Sequence, residues 1–135
     1  MSATEILGID NVMLAVGSLE EARRFYGERL GLPVKFEFPQ AGILAFRLGP
    51  EEPALILRET AGIAPAPPRA TPRVWLEVAD ARAAAASLAE AGIEPIGPAK
   101  EMRTGYYVEI ADPWGNVIGF ADYLHAPQMA RRRGG

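Results

Sequence analysis

The sequence contains no cysteine and only one histidine, His125. The first absence excludes disulfide bonds, thiolate metal sites and cysteine nucleophiles, and a lone histidine near the C-terminus cannot serve a catalytic triad. Basic residues are not in excess, since the net charge is -3 and the pI is near 5.2, so nothing in the charge balance favours nucleic acid as a partner. No glycine-rich loop follows a strand and opens a helix, so a phosphate or dinucleotide site is not expected.

Long hydrophobic runs are absent as well. No stretch approaches the length of a membrane span, and residues 1–5 lack a basic region followed by an apolar run. We therefore expect no transmembrane helix, no signal peptide, no membrane partner and a cytoplasmic location. What is present is a chain of 135 residues with 49% hydrophobic and 23% charged residues, enough to bury the core of one domain or of two small fused modules.

The first half shows one helix among several strands. Apolar and polar residues alternate over residues 9–16, as in a strand with one buried face. Ser18 follows as a helix N-cap, Glu21 completes a capping box, and Gly31 ends the predicted helix. Three further strands are predicted at Val34–Phe38, Ile43–Leu48 and 54–58. The first half therefore has the order β-α-β-β-β.

The second half repeats this pattern. Arg73 and Asp80 correspond to Asn11 and Ser18, sixty-two positions later in both cases. A helix is predicted after Asp80, and it is followed by predicted strands around residues 94–96, at 105–110 and at Val117–Ala121. An internal repeat of this kind indicates two modules whose sheets bury their faces against each other or against a partner chain.

Two segments differ from the modules. Residues 64–72 contain four prolines and are interpreted as an extended spacer rather than a ligand for an aromatic groove. The tail carries three arginines without periodicity, which predicts a frayed segment in which His125 is exposed or caps a neighbour. The expected organisation is a first module, a proline-rich linker, a second module and a basic tail, at residues 5–60, 61–72, 73–124 and 125–135.

The sequence Asp-Pro-Trp-Gly-Asn at residues 112–116 predicts a tight turn between two strands. Pro113 favours the first corner of a type I turn, Asp112 can cap the turn through its side chain, and Gly115 can take the left-handed position. Trp114 is expected at the tip of this turn, where an exposed indole would be a contact candidate.

Several of these segments together resemble the vicinal oxygen chelate superfamily, which includes glyoxalase I, extradiol dioxygenases, methylmalonyl-CoA epimerase, fosfomycin resistance enzymes and bleomycin-binding proteins. The resemblance covers residues 9–124 and depends on segments 11–16, 25–26, 30–32 and 112–116 and on the first strand and helix of the second half through residues 91–93. It implies an α+β fold of two βαβββ modules, whose curved mixed sheets enclose a cavity. It also implies a homodimer, with the modules paired within a chain or exchanged between chains.

Enzymes of this superfamily generally hold a divalent metal with His, Glu or Gln on the first and last strands of each module. The matching positions here are Asn11, Ile56, Arg73 and Gly119. An amide, an alkyl group, a guanidinium and a hydrogen atom make a poor ligand set for a divalent cation. We therefore expect no metal and no other cofactor. A site built from the carboxylates of Glu77 and Glu109 is the alternative, although each could instead pair with Arg73, Arg47 or Arg103.

The leading hypothesis is a metal-independent binding protein that holds a small, aromatic or amphipathic molecule and protects the cell by sequestration. Flat ligands stack on aromatic side chains, and the second module offers such residues on its predicted inner strand faces. The candidate ligand-binding residues are Asn11, Met13, Arg73, Trp75, Glu77, Tyr107, Glu109 and Trp114.

Two other functions stay open at this point. One is a glyoxalase- or epimerase-like lyase or isomerase in which Glu77 or Glu109 acts as general base, with or without an atypical carboxylate metal site. The other is an interaction or regulatory module without a small ligand, whose cavity would be filled by Met13, Trp75 and Tyr107. The sequence does not identify the ligand or a catalytic residue.

Overall fold

The computed structural model of the protein describes residues 4–5, 7, 9–70 and 72–131. The chain divides into two compact units, Met1–Gly62 and Ile63–Gly135. The proline-rich segment at residues 64–72 is therefore grouped with the second unit.

Each unit contains one βαβββ module. The first has β1 (Asn11–Val16), α1 (Leu19–Ala22), β2 (Val34–Phe38), β3 (Ile43–Leu48) and β4 (Glu51–Glu59). The second has β5 (Arg73–Glu77), α2 (Ala81–Glu90), β6 (Lys100–Met102), β7 (Gly105–Ala111) and β8 (Val117–Ala121). The predicted order of elements is confirmed in both halves.

The two sheets have the same topology. Their strand orders are β1-β4-β3-β2 and β5-β8-β7-β6. The first strand of each module runs parallel to the last, β1 with β4 and β5 with β8, and the remaining neighbours are antiparallel. Each sheet is therefore mixed, and the predicted α+β class is confirmed.

The two helices begin where the sequence predicts. The hydroxyl of Ser18 accepts a hydrogen bond from the Glu21 N–H at 3.2 Å, and the carboxylate of Asp80 accepts one from the Ala83 N–H at 3.0 Å. Beyond α1 the chain continues as a π-helical segment, Arg23–Arg29, which the helical periodicity did not indicate. Its wider turn is closed by the Leu30 N–H, which donates to the Phe25 carbonyl oxygen at 2.9 Å.

The core of the second unit contains a buried carboxylate that the sequence analysis did not single out. Asp122 has no exposed surface, and its side chain accepts hydrogen bonds from the N–H groups of Ala81 at 2.7 Å and Tyr106 at 2.8 Å. A Cβ on Gly105 would lie 2.2 Å from the Asp122 carboxylate. Asp122 thus links the start of α2 to β7, and only glycine leaves room for it there.

One predicted strand is wrong. The edge strand of the second sheet is β6 at Lys100–Met102, not residues 94–96. Ile96 makes one ladder-like contact, because its N–H donates to the carbonyl oxygen of Glu109 at 2.8 Å. Pro95 and Pro98, which carry no N–H, flank this position and prevent a regular strand from forming.

Among the described residues, the structure has no helix that is both long enough and apolar enough to span a membrane.

Candidate functional site

The candidate site lies on one face of the second sheet, opposite the face that carries α2. Arg73, Trp75 and Glu77 alternate along β5 and so share this face, as do Tyr107 and Glu109 along β7. Strand β8 separates the two strands. The structure therefore brings together five of the six candidate residues of the second module, all except Trp114.

Gly119 of β8 is the position that allows Trp75 to approach β7. Trp75 is paired with Gly119 on one side, and Gly119 is paired with Glu109 on the other. A Cβ on Gly119 would lie 2.4 Å from Cδ1 and 2.5 Å from Nε1 of the indole. The indole thus lies across the glycine, in space that any side chain at position 119 would occupy.

Glu109 holds the indole in this position. The Trp75 Nε1 donates to Oε2 of Glu109 at 2.8 Å, and Nη1 of Arg73 donates to Oε1 at 2.5 Å. The Arg73 Nε donates in turn to the carbonyl oxygen of Ala70 at 2.7 Å. The Glu109 side chain is only 13% exposed, and the Arg73 guanidinium balances its negative charge at close range. The pairing of Glu109 with Arg73 is one of those anticipated from the sequence.

Tyr107 packs against one face of the indole. Its ring stacks on Trp75 with centroids 4.7 Å apart and an interplanar angle of 28°. Trp75 nevertheless remains 46% exposed, which is high for an indole that also has a hydrogen bond and an aromatic neighbour. The result is a fixed two-ring platform with much of one ring open.

Glu77 has a partner that the sequence analysis missed. Its carboxylate accepts hydrogen bonds from the backbone N–H of Arg131 at 2.9 Å and from Nη1 of the same residue at 2.7 Å. Burial raises the pKa of Glu77, but these bonds and the positive charge of Arg131 outweigh it, and the net pKa lies below the ordinary value.

The prediction of a frayed tail is therefore wrong for residues 125–131. Besides the Arg131 contact, a short 3₁₀ turn forms at Pro127–Met129. The ring of His125 lies 2.8 Å from the Glu101 carboxylate, which also accepts a hydrogen bond from the Tyr106 hydroxyl at 3.3 Å. These two bonds lower the pKa of Glu101. His125 is exposed, which is one of the two roles expected for it.

Trp114 is not the exposed contact that its turn position suggested. It is only 2% exposed, so the expectation of an accessible indole at the turn tip is wrong. The turn itself forms as predicted: Asp112 Oδ1 accepts from the N–H groups of Trp114 and Asn116, both at 2.9 Å, and Gly115 is left-handed with φ +85°. The sequence showed the turn geometry but not what covers it.

The proline-rich segment is bonded to this turn. The N–H of Ala66 donates to the Pro113 carbonyl oxygen at 3.1 Å, and the N–H of Arg69 donates to the Gly115 carbonyl oxygen at 2.8 Å. A Cβ on Gly115 would lie 2.3 Å from the carbonyl oxygen of Pro67. Gly115 is therefore required both by its φ angle and by the close approach of this segment.

The two candidates of the first module lie on the corresponding strand, β1. The Asn11 carboxamide is engaged within the protein, since Oδ1 accepts from the Ala54 N–H at 3.2 Å and Nδ2 donates to Asp10 at 3.0 Å. Met13 is 52% exposed and pairs in register with Ile56 of β4. A role for either residue in ligand binding stays a prediction.

The residues at the four metal positions of the superfamily do not fit a divalent ion. The Asn11 carbonyl oxygen accepts a hydrogen bond from the Ala54 N–H within β4, Arg73 places a guanidinium against the Glu109 carboxylate, and Gly119 is covered by the indole. Ile56 is apolar and buried in a small cluster with Ala45 and Ala54. Within the described ranges, no three or more His, Asp or Glu side chains are grouped so as to hold a metal.

Comparisons with known proteins agree with this architecture. The family model described as Glyoxalase/Bleomycin resistance protein/Dioxygenase superfamily matches residues 8–120. No curated protein sequence matches the chain.

Solved structures show the same fold. A glyoxalase/bleomycin resistance protein/dioxygenase from Nocardioides is 22% identical with a TM-score of 0.71, over 98% of this chain and 91% of that one. A member of the same superfamily from Sphaerobacter thermophilus is 20% identical with a TM-score of 0.71, over 87% and 98%. TnmS3, an antibiotic binding protein from a Streptomyces species, is 25% identical with a TM-score of 0.68, over 88% and 99%.

Proposed function

Because the chain belongs to the Glyoxalase/Bleomycin resistance protein/Dioxygenase superfamily, we propose that it is a metal-independent binding protein for a small aromatic or amphipathic molecule, which it sequesters. The observation that carries this proposal is the Trp75 platform, by which we mean Trp75 with its supports Tyr107 and Glu109. The ring is held by a hydrogen bond and a stack, yet it is about half exposed. A preorganised, open aromatic surface loses little entropy when a flat ligand stacks on it.

Two further observations support binding rather than catalysis. Both candidate general bases, Glu77 and Glu109, are held by arginines, and a substrate would have to displace these contacts to reach either carboxylate. The similarity to TnmS3, an antibiotic binding protein, supports sequestration of a small molecule as the biological role. We also propose that the protein acts in the cytoplasm as a homodimer, which is the common assembly of the superfamily.

The test is a thermal-shift screen of flat aromatic natural products, each with and without EDTA. We expect at least one compound to raise Tm equally in both conditions. In Trp75→Ala the affinity for that compound should fall about ten-fold, because the stacking surface is removed, whereas Trp75→Phe should retain most of it.

Three outcomes would contradict the proposal. A hit that depends on metal, or stoichiometric nickel, zinc, manganese or iron in protein purified without added metal, would favour the lyase or isomerase alternative. Unchanged affinity in Trp75→Ala would exclude the platform as the binding surface. The absence of any hit would favour an interaction module without a small ligand.

A further inference from the structure

A small pocket adjoins the Trp75 platform on the side of the edge strand β6. Its volume is about 180 Å³, and its walls include Ile96, Pro98, Lys100 and Tyr107. Complete drug-sized ligands are bound in pockets of about 300 to 1,000 Å³. This pocket therefore has room for one ring system of a ligand rather than for a large natural product.

The pocket is aromatic and apolar on two sides. Trp75 occupies one face of the Tyr107 ring, which leaves the remaining surface of that ring available to the pocket. Ile96, which is 49% exposed, and Pro98 add apolar surface beside β7. A flat ring is the shape that such walls contact best.

The pocket also carries one unmatched positive charge. Glu109 contributes to its lining, but this carboxylate is already bonded to Arg73 and Trp75. Lys100 of β6 is exposed and pairs in register with Tyr107 of β7. Among the described residues it makes no hydrogen bond or ion pair, so its ammonium group is available to a ligand.

We propose that this pocket binds the ring of a planar aromatic anion, such as an aryl carboxylate, and that Lys100 pairs with the anionic group. The inference rests on the proposed binding function and adds to it the charge of the ligand. The net charge of -3 repels anions at long range, so selection for an anion has to come from this local lysine.

Two probes with the same ring system test the proposal. We would titrate 1-naphthoate and 1-naphthalenemethanol into the full-length protein by isothermal titration calorimetry at low salt and neutral pH. Naphthoate should bind on the order of five-fold more tightly, the upper range for a partly exposed ion pair. Lys100→Met should remove this preference and leave the affinity for the alcohol unchanged.

The chain offers a matched control, because Lys35 is its only other lysine and lies on β2 of the first unit. Lys35→Met should keep the preference for naphthoate. Equal binding of the two probes, or an unchanged preference in Lys100→Met, would overturn the anion site while leaving the proposed function standing. If neither probe binds, the aromatic anion site is overturned, whereas the proposed function is overturned only if the thermal-shift screen also finds no ligand.

A second measurement is made on the wild-type sequence, and a variant is needed only to assign the signals. Reductive methylation with ¹³C-formaldehyde keeps the charge of the lysines and gives each one a separate NMR signal. Saturating naphthoate should shift the Lys100 signal, assigned with Lys100→Arg, and leave the Lys35 signal in place. An unmoved Lys100 signal in protein that binds naphthoate would contradict the proposed pairing.

Discussion

At position 119 the absence of a side chain decides where the indole of Trp75 lies. Gly119→Ala would place a methyl group 2.4 Å from Cδ1 of Trp75, so the indole has to leave both Glu109 and Tyr107. We expect a loss of about 1 to 3 kcal/mol in the free energy of unfolding, measured by urea denaturation. We also expect faster acrylamide quenching of the tryptophan fluorescence, since Trp114 is buried and Trp75 is the accessible emitter.

A double-mutant cycle separates this effect from a general intolerance of β8. In a Trp75→Ala background the added methyl group meets no indole, so Gly119→Ala should hardly change the free energy of unfolding. Gly97→Ala is the matched control, because a Cβ there has nothing within 4 Å. An equal cost of Gly119→Ala in both backgrounds would show that the indole does not occupy this space.

At the scale of elements, the turn at residues 112–116 and the proline-rich segment form one structural unit. Gly115→Ala combines a left-handed φ of +85° with a contact of 2.3 Å to the Pro67 carbonyl oxygen. Gly92→Ala has a similar φ of +82° but nothing within 4 Å. Gly92→Ala, the control, should lower the free energy of unfolding by about 1 to 2 kcal/mol through backbone strain alone. Gly115→Ala should lower it by about 1 to 3 kcal/mol more.

Limited proteolysis reads out the same contact directly. The Arg69 N–H is bonded to Gly115, so displacement of the segment should expose the peptide bond after Arg69 to trypsin. Faster cleavage there is expected in Gly115→Ala and not in Gly92→Ala. Equal cleavage in the two variants would mean that the segment does not depend on the turn.

The elements that the sequence predicted well are those defined by short-range patterns. The N-caps at Ser18 and Asp80 and the turn after Asp112 depend on residues within four positions of each other, and all three form. The sequence pattern misplaces strand β6, because three residues show too little alternation to distinguish Lys100–Met102 from the apolar residues before it.

The misses at the candidate site arise from contacts between distant segments. Arg131 reaches Glu77 across fifty-four positions, and no local pattern indicates such a partner. Trp114 is buried, as is Asp112 of the same turn, although a turn of this sequence is usually a surface feature. Gly119 was recognised only as a lost ligand, because the sequence does not show that the indole of Trp75 fills the space. Residue types and their alternation along the strands predict which side chains share the face of the platform. The hydrogen bonds and the ring stack that hold the platform depend on tertiary packing.

At the scale of the whole molecule, carboxylates with lowered pKa values should make stability depend on acid pH. Burial raises the pKa of Asp122, but backbone N–H donors from Ala81, Tyr106 and Leu124 outweigh it and the net pKa is lowered, as it is for Glu77 and Glu101. A pKa that is lower in the folded state stabilises the protein above the unfolded value, and this contribution is lost as pH falls through the folded value. The urea midpoint should therefore be level near neutral pH and fall below about pH 4.5, the ordinary value for Glu.

Glu77→Gln should lower the midpoint at pH 7 and flatten the decline, while Glu90→Gln at the exposed end of α2 should change neither. A decline of the same steepness in Glu77→Gln and Glu90→Gln would show that the Arg131 contact does not contribute to it.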